Sequence, residues 1–109
     1  MINRGDIYWV EIPTRLPTGT EIAKTRPCVI VSVAALNNAR RTVIVVPLTS
    51  NNKSYPPIAI AVPSAGANSV AVCDQVFAVD KARLGSRKGQ LVGNEMELLD
   101  QSLRLLLGL

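Results

Sequence analysis

An arginine at the junction of a polar loop and an apolar strand is the most chemically suggestive feature of this chain. Arg26 is separated from the apolar run 28–31 only by Pro27. The loop before it carries the carboxylate of Glu21, and a later apolar run ends in the hydroxyl pair Thr49 and Ser50. A guanidinium is planar and always charged, and it binds phosphate oxygens through a fork of donors. These groups, at neighbouring strand ends, therefore suit the binding of a phosphate and chemistry on it.

Each of these side chains, taken singly, also has an ordinary structural interpretation. An isolated arginine such as Arg26 is typical of a surface salt bridge, and hydroxyls at strand ends commonly form turns. Asp74, which with Gln75 interrupts a later apolar run, would alone be a turn residue at a bend or bulge. Because the chain has no histidine, any acid–base chemistry must rely on carboxylates.

Composition favours one compact domain over residues 1–109, with a mainly β fold and a polyanionic partner. Hydrophobic residues make up 48% of the chain but aromatic residues only 4%, so Val, Ile, Leu and Ala must build the core, which favours strands. The net charge of +4 suits nucleic acid. No signal peptide or membrane-spanning run is recognised, which predicts a cytoplasmic protein without membrane contact.

The two cysteines, Cys28 and Cys73, lie in apolar runs and are predicted to be buried thiols. Two thiols without a histidine cannot complete a tetrahedral zinc site within one chain. The sequence therefore predicts neither a metal nor another cofactor.

A series of short apolar runs must position these groups. Strands are predicted at 7–12, 28–33 (with Pro27 at its start), 42–48 and 58–62, and a bent strand or strand pair at 70–79. A single helical turn is predicted at 34–39, and the basic segment 80–93 is assigned no element. Short strands in this order favour a small closed barrel or a strongly curled sheet.

The C-terminal segment has the pattern of an amphipathic helix. Asn94 is predicted to cap it, with Glu95 and Glu97 next to the positive end of its dipole. Its apolar residues recur at helical spacing and are expected to pack against the sheet: Met96, Leu99, Leu103, Leu106 and Leu107.

Five short motifs occur together along the chain. They are Arg-Gly-Asp-Ile-Tyr-Trp-Val at 4–10, Gly-Thr-Glu at 19–21, Thr-Arg-Pro at 25–27, Val-Val-Pro-Leu-Thr-Ser at 45–50 and Cys-Asp-Gln-Val at 73–76. In this order and near this spacing they resemble the MazF/PemK (Kid-like) family of bacterial toxins, and residues 80–85 also fit. The resemblance covers essentially the whole chain.

The resemblance implies a small SH3-like β-barrel of the CcdB/PemK type with a C-terminal helix. It implies a homodimeric toxin of a type II toxin–antitoxin system that cuts single-stranded RNA (mRNA) at specific sequences, inhibiting translation and growth. Cleavage would need no metal and would leave a 2′,3′-cyclic phosphate and a 5′-hydroxyl. The implied partners are RNA along the dimer interface and a cognate antitoxin, whose acidic disordered tail blocks that interface and with which the toxin binds DNA.

Specific residues match the family's site by position. Arg26 matches the catalytic arginine and Thr49 the hydroxyl residue at the end of the third strand. Glu21 and Asp74 match carboxylates used by different members, and either is a candidate general base. Val72 departs from the family, because some members carry a basic residue there.

The RNA itself is expected to contact basic, polar and aromatic side chains. The candidates are Lys24, Ser50, Lys53, Tyr55, Gln75, Arg83 and Arg87, with Phe77 as a further stacking residue or a core residue and Lys88 among the additional basic residues.

Two other functions are compatible with a fold of this kind. Gyrase-poisoning toxins resemble it and act on a protein, but that resemblance depends on a tryptophan close to the C-terminus, whereas the only tryptophan here is Trp9. A non-catalytic SH3-like module that binds nucleic acid or peptide would not need Arg26, Thr49 and a carboxylate together.

Overall fold

The computed structural model describes residues 1–12, 24–50 and 53–109. Its strands are β1 (Asp6–Ile12), β2 (Lys24–Ile30), β3 (Thr42–Thr49), β4 (Ala59–Ala61), β5 (Val70–Val72), β6 (Phe77–Asp80) and β7 (Leu84–Gln90). The helices are α1 (Ala34–Ala39) and α2 (Glu95–Leu107), and 3-10 turns occupy Pro63–Ala65, Cys73–Gln75 and Lys81–Arg83. The described residues form two α-helices, α1 and α2, and neither is long and apolar enough to span a membrane.

The seven strands form one antiparallel sheet in the order β4-β5-β3-β2-β1-β7, with β6 also paired to β3. Strand β3 changes partner along its length: Val45 pairs with Phe77 of β6, and Thr49 pairs with Val70 of β5. The turn Cys73–Gln75 joins these two partners. The predicted bend within 70–79 is therefore confirmed.

The sheet is open, because its edge strands β4 and β7 are not paired within the described residues. The two edges are linked through a side chain instead: the Lys88 ammonium of β7 donates a hydrogen bond to the carbonyl of Ala65, in the turn after β4, at 2.7 Å. The predicted mainly β fold with a C-terminal helix is confirmed. Among the residues that the structure describes, no backbone ladder joins these edges, so the strands do not complete a closed barrel.

Alternation along the strands divides the apolar side chains between two clusters. Ile7 contacts the larger cluster, which is covered by α2 through the fully buried Leu99. Val10, on the other face of β1, belongs to a smaller cluster that contains Cys28. Both cysteines are buried and free, as predicted.

Most of the predicted helix stripe is confirmed. Met96, Leu103 and Leu106 pack with Leu99 against the larger cluster. The prediction is wrong for Leu107, whose surface is 55% exposed, because it falls on the outer side of the last turn.

The N-terminus of α2 is held differently from the prediction. Asn94 occupies the N-cap position, but its side chain makes no capping hydrogen bond. The buried Glu95 carboxylate instead accepts hydrogen bonds from the backbone N–H of Val92 at 3.1 Å, the backbone N–H of Ser64 at 3.0 Å and the Ser64 hydroxyl. Burial alone would raise the pKa of Glu95, but these hydrogen bonds outweigh it and lower the pKa.

Two strand assignments differ from the sequence prediction. Strand β2 begins at Lys24 and ends at Ile30, so Pro27 lies inside it; this is tolerated because β2 pairs with β3 only from Cys28 onward. Strand β7 was not predicted, because its sequence Leu-Gly-Ser-Arg-Lys-Gly-Gln lacks an apolar alternation. Its polar character follows from its position, since charged edge strands resist pairing with other chains.

Replacing Leu99 with alanine should destabilise the fold by about 2–5 kcal/mol, because it removes a fully buried side chain and leaves a cavity. The matched control is Leu105→Ala on the same helix, where the side chain is 72% exposed and the change should stay within about 0.5 kcal/mol. Urea unfolding measures both values. Equal values for the two variants would contradict the packing of α2 against the sheet.

Replacing Glu95 with glutamine should lower the free energy of unfolding at neutral pH by about 1.5–3 kcal/mol, the range for hydrogen bonds to a charged group. Because the folded-state pKa is lowered, the ionised carboxylate stabilises the fold above its ordinary value of 4.5. This stabilisation is lost as the pH falls through the lower folded-state pKa. The difference between wild type and variant should therefore shrink below about pH 4.5, whereas Glu97→Gln, at an exposed position, should show little difference at any pH.

Candidate active site

The pairing of β2 with β3 brings the predicted arginine and hydroxyl together. The register runs from Ile30 opposite Val45 to Cys28 opposite Pro47. Continuing it by two residues sets Arg26 opposite Thr49. Since side chains alternate along a strand, both fall on the face of the sheet that carries Cys28.

Two cavities meet at these residues. The first, of about 480 Å³, is lined by Ile12, Arg26, Pro47, Leu48, Thr49, Val72, Gln75 and Phe77. The second, of about 460 Å³, is lined by Trp9, Lys24, Thr25, Arg26, Pro27, Leu48, Thr49, Ser50, Ser69 and Lys88. Three residues, Arg26, Leu48 and Thr49, line both cavities and so form the wall between them. Hereafter the two are called the Phe77 cavity and the Trp9 cavity.

Arg26 supplies positive charge on this shared wall. Its side chain is half-buried, and within residues 1–12, 24–50 and 53–109 no carboxylate lies at salt-bridge distance from it. The guanidinium is close enough to act on the buried thiol of Cys28. Burial raises the pKa of Cys28 to about 12, and the charge of Arg26 only partly opposes this. The thiol is therefore protonated at neutral pH and offers no nucleophile.

Thr49 supplies a hydroxyl residue to the same two cavities as Arg26. It is half-buried at the end of β3, and its hydroxyl donates to the carbonyl of Ser50 at 3.1 Å. A hydroxyl has one donor and two acceptor positions and can rotate between partners. Thr49 can therefore turn its hydrogen toward an anion bound beside Arg26.

Of the two candidate carboxylates, the structure describes only Asp74. Glu21 lies outside the described residues. Asp74 is exposed on the turn Cys73–Gln75, and it does not line either cavity itself. Its close neighbours in sequence, Val72 and Gln75, both line the Phe77 cavity. Val72 contributes an apolar wall there and no charge.

The predicted RNA-binding residues separate into three groups. Lys24 and Ser50 line the Trp9 cavity, and Gln75 lines the Phe77 cavity. Lys53 and Tyr55 lie outside both, although Tyr55 is 68% exposed.

Arg83 and Arg87 also line neither cavity, and both are engaged in ion pairs. Arg83 lies 3.4 Å from Glu11, and Arg87 lies 3.2 Å from the buried Asp6. Their guanidinium groups are therefore already partnered within the chain.

Sequence reasoning did not place Trp9 at the site. Its ring lines the second cavity, and the Lys88 ammonium lies 5.9 Å from the ring centroid. Its proximity to Arg26 and Lys88 depends on strands that are distant in sequence, so no local pattern could have revealed it.

Comparison with known proteins gives a consistent result. The model of the PemK-like, MazF-like toxin of type II toxin-antitoxin systems matches residues 3–107. The endoribonuclease toxin MazF of Escherichia coli (strain K12) is 32% identical over 106 residues, which cover 95% of this chain and 92% of that protein.

Solved structures show the same similarity. An endoribonuclease in complex with its cognate antitoxin from a mycobacterial species is 27% identical, with a TM-score of 0.77 over 98% of this chain and 95% of that one. A MazE–MazF structure from Deinococcus radiodurans, at 24% identity, supports the fold with a TM-score of 0.81 over 98% and 96% of the two chains. The chain belongs to the PemK-like, MazF-like family of toxins of type II toxin–antitoxin systems.

Proposed function

We propose that this protein is an endoribonuclease toxin that cuts single-stranded RNA without a metal ion. The observation that carries the proposal is the position of Arg26 and Thr49 on the wall shared by two cavities. A cation and a hydroxyl at such a wall suit a phosphodiester with one nucleotide on each side. The 32% identity to a protein named an endoribonuclease toxin supports the same activity.

The chemistry we propose is an internal transfer within the RNA. The ribose 2′-oxygen attacks the neighbouring phosphorus, and the bond from phosphorus to the 5′-oxygen of the next nucleotide breaks. The proton of the 2′-hydroxyl passes to a carboxylate, and the departing 5′-oxygen takes a proton from water. The products are a 2′,3′-cyclic phosphate and a 5′-hydroxyl.

Arg26 and Thr49 would stabilise the transition state of this step. Negative charge grows on the non-bridging phosphate oxygens, and donors held in place beforehand bind that charge most strongly. Because a guanidinium is not deprotonated in proteins, Arg26 is suited to charge stabilisation and not to proton donation. The proton acceptor is Glu21 or Asp74.

The proposed partners follow from the same surface. We propose a homodimer, and a cognate antitoxin whose acidic tail competes with RNA for the positive charges of Arg26 and Lys24. Because mRNA is the proposed substrate, the protein would act in the cytoplasm and arrest translation and growth.

Arg26→Ala should reduce the rate of RNA cleavage about 100- to 1,000-fold, because it removes a preorganised donor to the transition state. The assay uses single-stranded RNA in EDTA, and the control is Arg104→Ala at an exposed position of α2 that lines neither cavity. Cleavage by Arg26→Ala at the rate of the control would refute the assignment. Gyrase inhibition, or RNA binding without cleavage by the wild type, would refute the activity itself.

Glu21→Gln and Asp74→Asn should separate the two candidate bases. The true base should lose about 100- to 10,000-fold in rate when it is neutralised. A base must be ionised to accept a proton, so wild-type activity should fall at acid pH, and only the variant of the base should lose this acidic limb. The pH–rate profile of each variant measures the effect; two variants with unchanged rates and profiles would exclude both carboxylates.

Replacing the RNA by DNA of the same sequence should abolish cleavage while leaving binding detectable. DNA lacks the 2′-hydroxyl that attacks the phosphorus, but it carries the same backbone charge. Gel analysis of the products together with fluorescence anisotropy measures both properties. Cleavage of the DNA would contradict the proposed internal attack.

A further inference from the structure

We propose that the Trp9 cavity binds one of the two nucleotides that flank the cleaved phosphate, with Trp9 stacking on its base and Lys88 neutralising an adjacent backbone phosphate. This inference rests on the proposed function and assigns one side of the substrate to named residues.

The arrangement of the two cavities is the first argument. Each has a volume within the range of small-molecule sites, which is about 300–1,000 Å³. They meet at Arg26 and Thr49, which are the groups that would bind the cleaved phosphate. Because Arg26 and Thr49 line both cavities, a nucleotide bound in the Trp9 cavity would lie next to the phosphate that these residues bind.

The pairing between β1 and β7 is the second argument. Ile7 pairs with Gly89 and Tyr8 with Arg87, so Lys88 is an extra residue between two consecutive pairs. Such a bulge changes the direction of a side chain, and bulges often occur beside active sites. Here the ammonium of Lys88 lies 5.9 Å from the centroid of the Trp9 ring.

A second bulge lets β7 approach Trp9 closely. Tyr8 pairs with Arg87 and Val10 pairs with Leu84. Only Trp9 lies between the two pairs on β1, whereas Gly85 and Ser86 lie between them on β7. Gly85 lies in this interval, and a Cβ atom there would come within 3.3 Å of the backbone oxygen of Trp9. The missing side chain therefore favours the close contact that places β7 along the cavity.

The chemistry of the lining is the third argument. Binding of single-stranded nucleic acid combines an aromatic surface for the base with cations for the backbone. The Trp9 cavity has the indole ring together with Lys24 and Lys88. The Lys88 ammonium uses one of its three N–H groups on the carbonyl of Ala65, so its donor capacity exceeds that contact. Hydroxyls that can contact the edges of a base also line this cavity: Thr25, Ser50 and Ser69.

The experiment uses the fact that Trp9 is the only tryptophan of the chain. Its fluorescence should be quenched when a base stacks on the ring. The probe is a single-stranded RNA of about eight nucleotides, random in sequence and 2′-O-methylated so that it cannot be cut. Binding is followed separately by the anisotropy of a fluorescein-labelled sample of the same probe. Quenching that saturates at the same concentration as the anisotropy is the expected result.

Binding of the probe by anisotropy without a change in Trp9 fluorescence would overturn this inference and leave the proposed function intact. Absence of binding together with uncut RNA would overturn the proposed function, and this inference with it. The two failures are therefore distinguishable.

Variants at the two residues provide an independent test. Trp9→Phe should retain most of the affinity, whereas Trp9→Leu should weaken it about 5- to 100-fold, as expected for one stacked base. Lys88→Met keeps the apolar stem, and it should lower the slope of log affinity against log salt concentration by about 0.7, the value for one phosphate contact on a single strand. Arg104→Met, outside both cavities, should leave that slope unchanged, and an equal slope for Lys88→Met would overturn the role of Lys88.

Discussion

The antiparallel pairing of β2 with β3 is the constraint on which the rest of the structure depends. It sets the start of β2 beside the end of β3, and its register brings Arg26 opposite Thr49. A slip of one residue would turn each of these side chains to the other face of the sheet. The same slip would move Val29 or Val46 out of the larger apolar cluster and onto the face of the smaller one, where close packing leaves no matching space, so the packing of the two clusters holds the register and the site together.

The surrounding elements support this pair by different means. The partner of strand β3 changes from β6 to β5, the two strands that the turn Cys73–Gln75 joins, and Gln75 of this turn lines the Phe77 cavity. Helix α2 covers the larger apolar cluster, and the Glu95 carboxylate joins its N-terminus to the turn after β4. The open side of the sheet is crossed by Lys88, whose ammonium also lies over Trp9. One lysine thus links the architecture of the sheet to the lining of a cavity.

Family membership and geometry together explain how phosphate chemistry is conceivable here without histidine. The family model covers residues 3–107, so the relationship does not rest on one short motif. A guanidinium is always charged and supplies electrostatic stabilisation, whereas the proton must go to a separate group. In the proposed mechanism these two tasks are divided between Arg26 and a carboxylate, a division that suits an internal attack by a neighbouring hydroxyl.

The sequence by itself determined the composition of the core, most of the strands, the amphipathic helix and the family. These properties depend on local alternation, helical spacing and short motifs, which are visible in the sequence without knowledge of the tertiary contacts. It also identified Arg26 and Thr49 as a pair, because the motifs carry them. Strand β7 was not predicted, since an exposed edge strand needs no apolar pattern. Asn94 was assigned a capping hydrogen bond that its side chain does not make.

Only the tertiary structure decided which side chains share a cavity. Trp9 and Lys88 are distant in sequence and meet because β1 pairs with β7 through two bulges. Arg83 and Arg87, which were predicted to bind RNA, form ion pairs with Glu11 and Asp6, respectively. The physical reason is that register, bulges and ion pairs are set by contacts between distant segments, and these contacts leave no periodic trace in either segment alone.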